Sequence, residues 1–234
     1  MARRATYFLD VHKSDSQRLL VSGGWEFLHP DEGAPPVGTT MALANAFDLM
    51  KYDVGLLAGE EAKVLEGQGI TFDSARKTAQ EAPITVITTR DGDEVAFLRL
   101  PALHKADQAP PQDMIDKISR KIRAEREKTR LIVALSDWGW IAEREYLDGK
   151  PDAVPDILLG SGWGAAVDGR FESDGRCLWV RPYDKGRTLS EIRLASWPDH
   201  SRKPPWKSPD AARTTSLPLG DQYVDNPDVS TLFQ

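Results

Sequence analysis

The segment Leu131–Leu135, LIVAL, constrains this chain more than any other. Five apolar residues in a row, bounded by Arg130 and by Ser136-Asp137, read as a buried strand and are too few for a helix. The strand ends in Ser-Asp-Trp-Gly-Trp, and a helical segment, Ile141–Leu147, follows at once. A strand that delivers polar residues to the lip of a sheet and then turns into a helix is the repeating unit of an α/β fold.

The rest of the sequence fits that class. Ala5–Val11 and Arg18–Ser22 read as strands. A helix follows with Thr39 or Thr40 as N-cap and Met41, Leu43, Ala44, Phe47 and Met50 on one stripe. DVGLLAG is a short strand, and EEAKVLEGQG a short helix stopped by glycine. Asp91-Gly92 marks a hairpin between two alternating runs. Pro111 opens an amphipathic helix with Met114, Ile115, Ile118 and Ile122 on one face. Further strands are expected at Asp156–Leu159, Cys177–Val180 and Thr188–Leu194. From Ser196 the chain turns rich in proline, serine and charge. The expected division is a domain over 1–195 and an extended arm over 196–234. Asn226 or Asp228 would cap one short last helix.

Composition removes several functions. The 234 residues carry a net charge of −6, which argues against a broad nucleic-acid surface. No run of 18 apolar residues offers a membrane span. The N-terminal apolar run is too short for a signal peptide and is broken by Asp10, so a cytoplasmic location is expected. Cys177 is the single cysteine, which excludes internal disulfides and thiolate zinc sites. His29 and His104 sit in loop-like contexts and read as surface residues.

The order of these pieces resembles the N-terminal domain of the 5′-nucleotidase and UDP-sugar hydrolase (UshA-like) family of calcineurin-like metallophosphoesterases. TYFLDVH resembles its first strand with Asp-x-His, and RLLVSGGWEF its Gly-Asp turn. MALANAFDLMKYDVGLLAGEE is similar to the approach to Gly-Asn-His-Glu. LIVALSDWG is similar to the strand ending Leu-Ser-His-x-Gly, and PDILLGSGWG to the one ending Gly-His-x-His. The resemblance implies an α/β fold: a four-layer α/β/β/α sandwich with two mixed sheets.

It also says which positions a two-metal centre would use. Asp10 and His12 match the first motif and, on a strand, would share a face. Trp25 falls at the bridging carboxylate, and indole offers only an N–H donor; Glu26 would need a register shift. Gly59 and Glu60 fall at the Asn-His pair, and Glu61 at the motif's own glutamate. Asp137 replaces a histidine. Gly162 and Gly164 stand where two histidines belong. The residual ligand set is therefore Asp10, His12 and Asp137; Trp25, Gly59, Glu60, Gly162 and Gly164 are lost ligand positions. Trp25, Trp138, Trp140 and Trp163 crowd the same loops, either filling the space or forming a pocket for a ligand or partner. The resulting expectation is a non-catalytic domain without a cofactor, acting on an unknown protein or small-molecule partner. The alternative is a phosphoester hydrolase with one divalent ion (manganese, zinc or iron).

Overall fold

A computed structural model of the chain describes residues 1–14, 18–30, 32–71, 75–103, 108–183, 186–206 and 208–234. In chain order the first elements are α1 (Ala2–Ser14), β1 (Val21–Ser22), α2 (Val37–Met50), β2 (Val54–Leu56), α3 (Gly59–Gly67) and β3 (Arg76–Lys77). Then come β4 (Ile84–Thr88), β5 (Glu94–Arg99), α4 (Gln112–Arg126), β6 (Leu131–Ser136), α5 (Trp140–Asp148) and β7 (Ile157–Gly160). The last are β8 (Val167–Glu172), β9 (Cys177–Arg181), β10 (Thr188–Leu194), β11 (Ala212–Pro218) and α6 (Pro227–Thr231).

The main sheet has six strands in the order β4-β5-β6-β7-β9-β8, with β5, β6, β7 and β9 parallel and both edges antiparallel. A short parallel sheet β1-β2-β3 and the antiparallel pair β10-β11 complete the strands. Strand alternation sorts the apolar residues into two cores. Val95, Phe97, Leu131, Val133, Leu135, Ile157, Leu178 and Val180 meet Val54 and Leu56 of the short sheet. Their neighbours Ala96, Leu98, Ile132, Ala134, Leu158 and Trp179 meet Ile118 and Ile122 of α4 and Ala142, Tyr146 and Leu147 of α5. Both faces of β6 are covered, which explains its unbroken apolar run. A third cluster joins α1, α2 and α6 outside the short sheet through Phe8, Phe47, Met50 and Val229. The layers are α/β/β/α, as the resemblance led us to expect, but of the two expected mixed sheets only the main one is mixed: among the described residues the short sheet is wholly parallel and β10-β11 is a separate antiparallel pair.

Several local readings are corrected. Ala5–Val11 is not a strand but part of α1. Ala5, Phe8 and Val11 recur every third residue and are the buried stripe of that helix. α2 begins at Val37 after Pro36, so neither Thr39 nor Thr40 caps it; Thr40 lies within the first turn and its hydroxyl donates to the Pro36 carbonyl. Three strands escaped the sequence. β3 has two residues. β8 carries Gly169 and changes register between Val167 and Arg170. β11 carries mostly polar side chains. The segment 196–234 packs on the rest of the chain: β11 pairs with β10 along its length, Trp206 enters the core, and α6 lies against α1. Asn226 does cap α6, accepting from the Val229 N–H at 3.0 Å. No helix among the described residues is long and apolar enough to cross a membrane.

Candidate functional site

The C-terminal ends of β1, β2, β6 and β7 meet where the two sheets face each other. The Gly24 N–H donates to Ser161 Oγ at 3.0 Å, and Ser161 Oγ donates in turn to the Ser136 carbonyl at 2.6 Å. A Cβ added at Gly24 would stand 3.3 Å from Asp137 Cβ and 3.5 Å from Ala58 Cβ. Gly24, Ala58, Asp137 and Ser161 thus come from four strand ends to one point, the crevice where α/β folds place their ligands.

Asp137 is the acid at that point. Its Oδ1 is buried and has no hydrogen-bond partner. Burial pushes its carboxyl up to about 7, and the nearby Glu61 and Glu143 charges push the same way. Glu61, with no exposed surface, accepts from the Phe27 N–H at 2.6 Å and the Ala58 N–H at 3.0 Å. It ties the β1 loop to the start of α3. Arg76 donates to the Gly23 and Leu56 carbonyls at 3.0 and 3.1 Å and lies over the Phe27 and Phe47 rings. Glu60, one residue away, is exposed and paired with Lys63 at 2.7 Å.

The tryptophans hold different positions. Trp25 has a left-handed backbone, φ 63°, a conformation uncommon for a bulky residue. Its Nε1 donates to the Asp137 carbonyl at 3.0 Å, and a Cβ at Gly162 would approach that nitrogen to 2.9 Å. At Gly164 a Cβ would collide with Trp140 Cβ. Both glycines also have positive φ, 81° and 102°. The two glycines and the two tryptophans therefore require each other. Trp138 is 2 % exposed, donates to the Pro101 carbonyl at 2.6 Å and meets Tyr146 edge-on. It belongs to the core. Trp163 is half-buried beside His29, ring centres 5.7 Å apart, with His29 exposed as expected.

The glycine loop is held from below by a cluster that the sequence reading missed. Arg181 donates to the carbonyls of Ser161, Gly162, Trp163 and Ala165 at 2.7–3.2 Å. Its Nη1 also donates to Glu143 Oε2 at 2.6 Å, an oxygen that accepts from Trp179 Nε1 at 2.9 Å. Glu143 is fully buried, and that burial raises its carboxyl above the usual range. The signal was a lone arginine closing the apolar run CLWV: a buried charge needs a built partner.

The structure sets Asp10 and Asp137 of the residual ligand set apart. Asp10 is exposed on α1 in the outer helical layer, while Asp137 lies in the crevice. Positions 10 and 12 are two apart on a helix, roughly 200° around its axis, and do not share a face as they would on a strand. The His12 side chain and the whole of His104 lie outside the described residues. Among the described residues no three His, Cys, Asp or Glu side chains form a group able to hold a metal ion. Around Asp137 the other candidate positions are indole and glycine. That donor set does not fit a two-metal centre, which needs several oxygen and nitrogen ligands at once.

No family model matches the chain, and no curated protein sequence matches it. Solved structures do. The sulfate thiohydrolase SoxB of Thermus thermophilus, solved in complex with glycerol, superposes at TM-score 0.69 and 14% identity over 99% of this chain. This chain spans 45% of that protein's length. A hypothetical protein from the same organism is matched at TM-score 0.47 and 14% identity over 76% of this chain and 68% of its own, too low for a shared fold to follow. With four layers, a crevice at the strand ends and the SoxB superposition, the chain has the α/β sandwich of the metallophosphoesterase fold.

Proposed function

We propose that this chain is a degenerate 5′-nucleotidase-like metallophosphoesterase domain that has kept the frame, lost most dimetal ligands, and acts by binding a ligand or protein partner. The observation that carries the reading is the interlock of Trp25 with Gly162 and of Trp140 with Gly164. A histidine restored at either glycine would collide with a tryptophan, so the lost ligands are replaced by packing. Trp25, Trp163 and His29 remain partly or fully exposed at the crevice mouth and are the surface a partner would meet.

A second reading draws on Asp137. Its buried, unpartnered Oδ1 would suit one divalent ion of the manganese, zinc or iron type with water completing the shell. The other donors would have to come from outside the described side chains.

Elemental mass spectrometry on protein purified without chelator separates the two, with phosphoester hydrolysis measured on the same samples. The expected result is well under one transition-metal ion per chain and no hydrolysis that depends on Asp137. About one ion per chain, lost together with hydrolysis in Asp137→Ala, would overturn the binding reading in favour of a single-metal hydrolase.

A further inference from the structure

A cavity of about 660 Å³ opens between the end of α4 and the segment 196–200. It lies before the first residue of β6, whereas Asp137 follows the last. At a rise of about 3.3 Å per residue the two places are roughly 20 Å apart. The volume falls within the range of about 300–1,000 Å³ that small-molecule sites occupy.

Three cations line it, Arg126, Lys128 and Arg130, together with Trp197, Pro198 and His200. Trp197 is half-buried, packed on one side against the interior core. Arg126 is anchored: its Nη2 donates to the Val154 carbonyl at 2.8 Å and to the buried Asp156 at 3.1 Å, while its Nε is buried without a partner. Lys128 pairs with Glu125 and Arg130 with Asp93, both at 3.3 Å and with the cation largely exposed. Pairs of that kind hold weakly in water and give way to a better acid. Of the two lining carboxylates, Asp199 already accepts from the Ser201 N–H and hydroxyl through Oδ1, and Glu127 is exposed. The helix dipole gives one reason for cations at the end of α4, but it fades within the last turn and does not reach Arg130.

We propose that this cavity binds a small aromatic acid, its acid group held by Arg126, Lys128 and Arg130 and its ring laid on Trp197. Carboxylate and phosphate share the required chemistry, since guanidinium groups grip both. The proposal stands whether or not the strand-end crevice is catalytic.

Calorimetric titration with phenyl phosphate, benzoate and neutral phenol tests it. Saturable one-to-one binding of an acid is expected, with Kd on the order of 1 mM or tighter and none for phenol. The exposed-residue variant Lys128→Gln/Arg130→Gln, which leaves the Arg126–Asp156 pair intact, should weaken binding at least about tenfold, close to the loss of one strong acid contact. Asp137→Asn should leave it unchanged. The stronger of the two acids identifies the natural acid group. No saturable binding at about 10 mM, equal binding of phenol, or an unchanged Kd in the double variant would overturn the assignment.

Discussion

A carboxylate with a buried, unpartnered oxygen is costly while it is ionised, and Asp137 carries one. Its folded-state value of about 7 stands above the roughly 3.9 of an unfolded aspartate. Between those values the folded chain holds a proton that the unfolded chain has released. Stability from this group is therefore full below about pH 4 and falls as pH rises toward 7. A rise from about 3.9 to about 7 would amount to about 4 kcal/mol, and the partial exposure of Asp137 brings the expectation to about 1–3 kcal/mol. Asp137→Asn removes the charge and keeps the shape. Urea unfolding should show the variant more stable than the parent by about that amount at pH 8, with little difference at pH 4. The difference between the two proteins isolates this group from Asp156, which burial raises to about 6 and whose contribution has the same sign. A variant less stable at pH 8 would mean that Asp137 is ionised and held by a partner, which would favour the metal reading.

At the scale of an element, the loop after β7 shows what was legible and what was not. Its glycines and its place at a strand end could be read directly, because GSGWG follows the apolar ILL. Its support could not be read, because Arg181 and Glu143 lie far away in sequence and only the fold joins them. The misread α1 has a local cause: Tyr7-Phe8-Leu9 looks like a strand run until the three-residue recurrence of Ala5, Phe8 and Val11 is weighed against it. That error carried the Asp10-x-His12 pairing with it. The strand ends that carry Trp25, Asp137, Gly162 and Gly164 were legible, since each follows an apolar run that ends in glycine or serine. The Arg181–Glu143 pair makes its own prediction. Removing one partner of a buried pair costs about 3–5 kcal/mol, whereas replacing both with apolar groups of similar size is far milder. Arg181→Met should therefore destabilise by about that amount and take a donor from four loop carbonyls, of which Ser161 and Trp163 keep the Gly139 and Trp140 N–H groups. Adding Glu143→Leu should recover part of the loss, as chemical denaturation of the single and double variants would show. A double variant as weak as the single one would place the whole cost in the loop carbonyls.

For the whole molecule, the question is whether residues 196–234 are an appendage. Their composition suggests an arm, yet they supply interior parts. Trp206 is 4 % exposed in the core between the sheets, beside Phe171, and Ala211 and Ala212 lie with it. β11 pairs with β10 at seven successive positions, from Thr188 with Pro218 to Leu194 with Ala212. Val229 of α6 is 1 % exposed in the outer core. A buried tryptophan cut to alanine costs about 3–5 kcal/mol, and losing a buried valine adds about 1.5–3. A domain of this kind has only about 5–15 kcal/mol in all. Deleting the segment also strips β10 of its partner and opens the interior core to water. A chain ending at Ser196 should therefore lose fixed tertiary packing while keeping much of its helix and strand, and Trp206→Ala in the full chain should lower stability by about 3–5 kcal/mol. Near-ultraviolet circular dichroism and cooperative thermal unfolding of both proteins read the two effects. If the shortened chain instead unfolds as sharply as the full one, the segment is a surface strap, and the core between the sheets closes without Trp206.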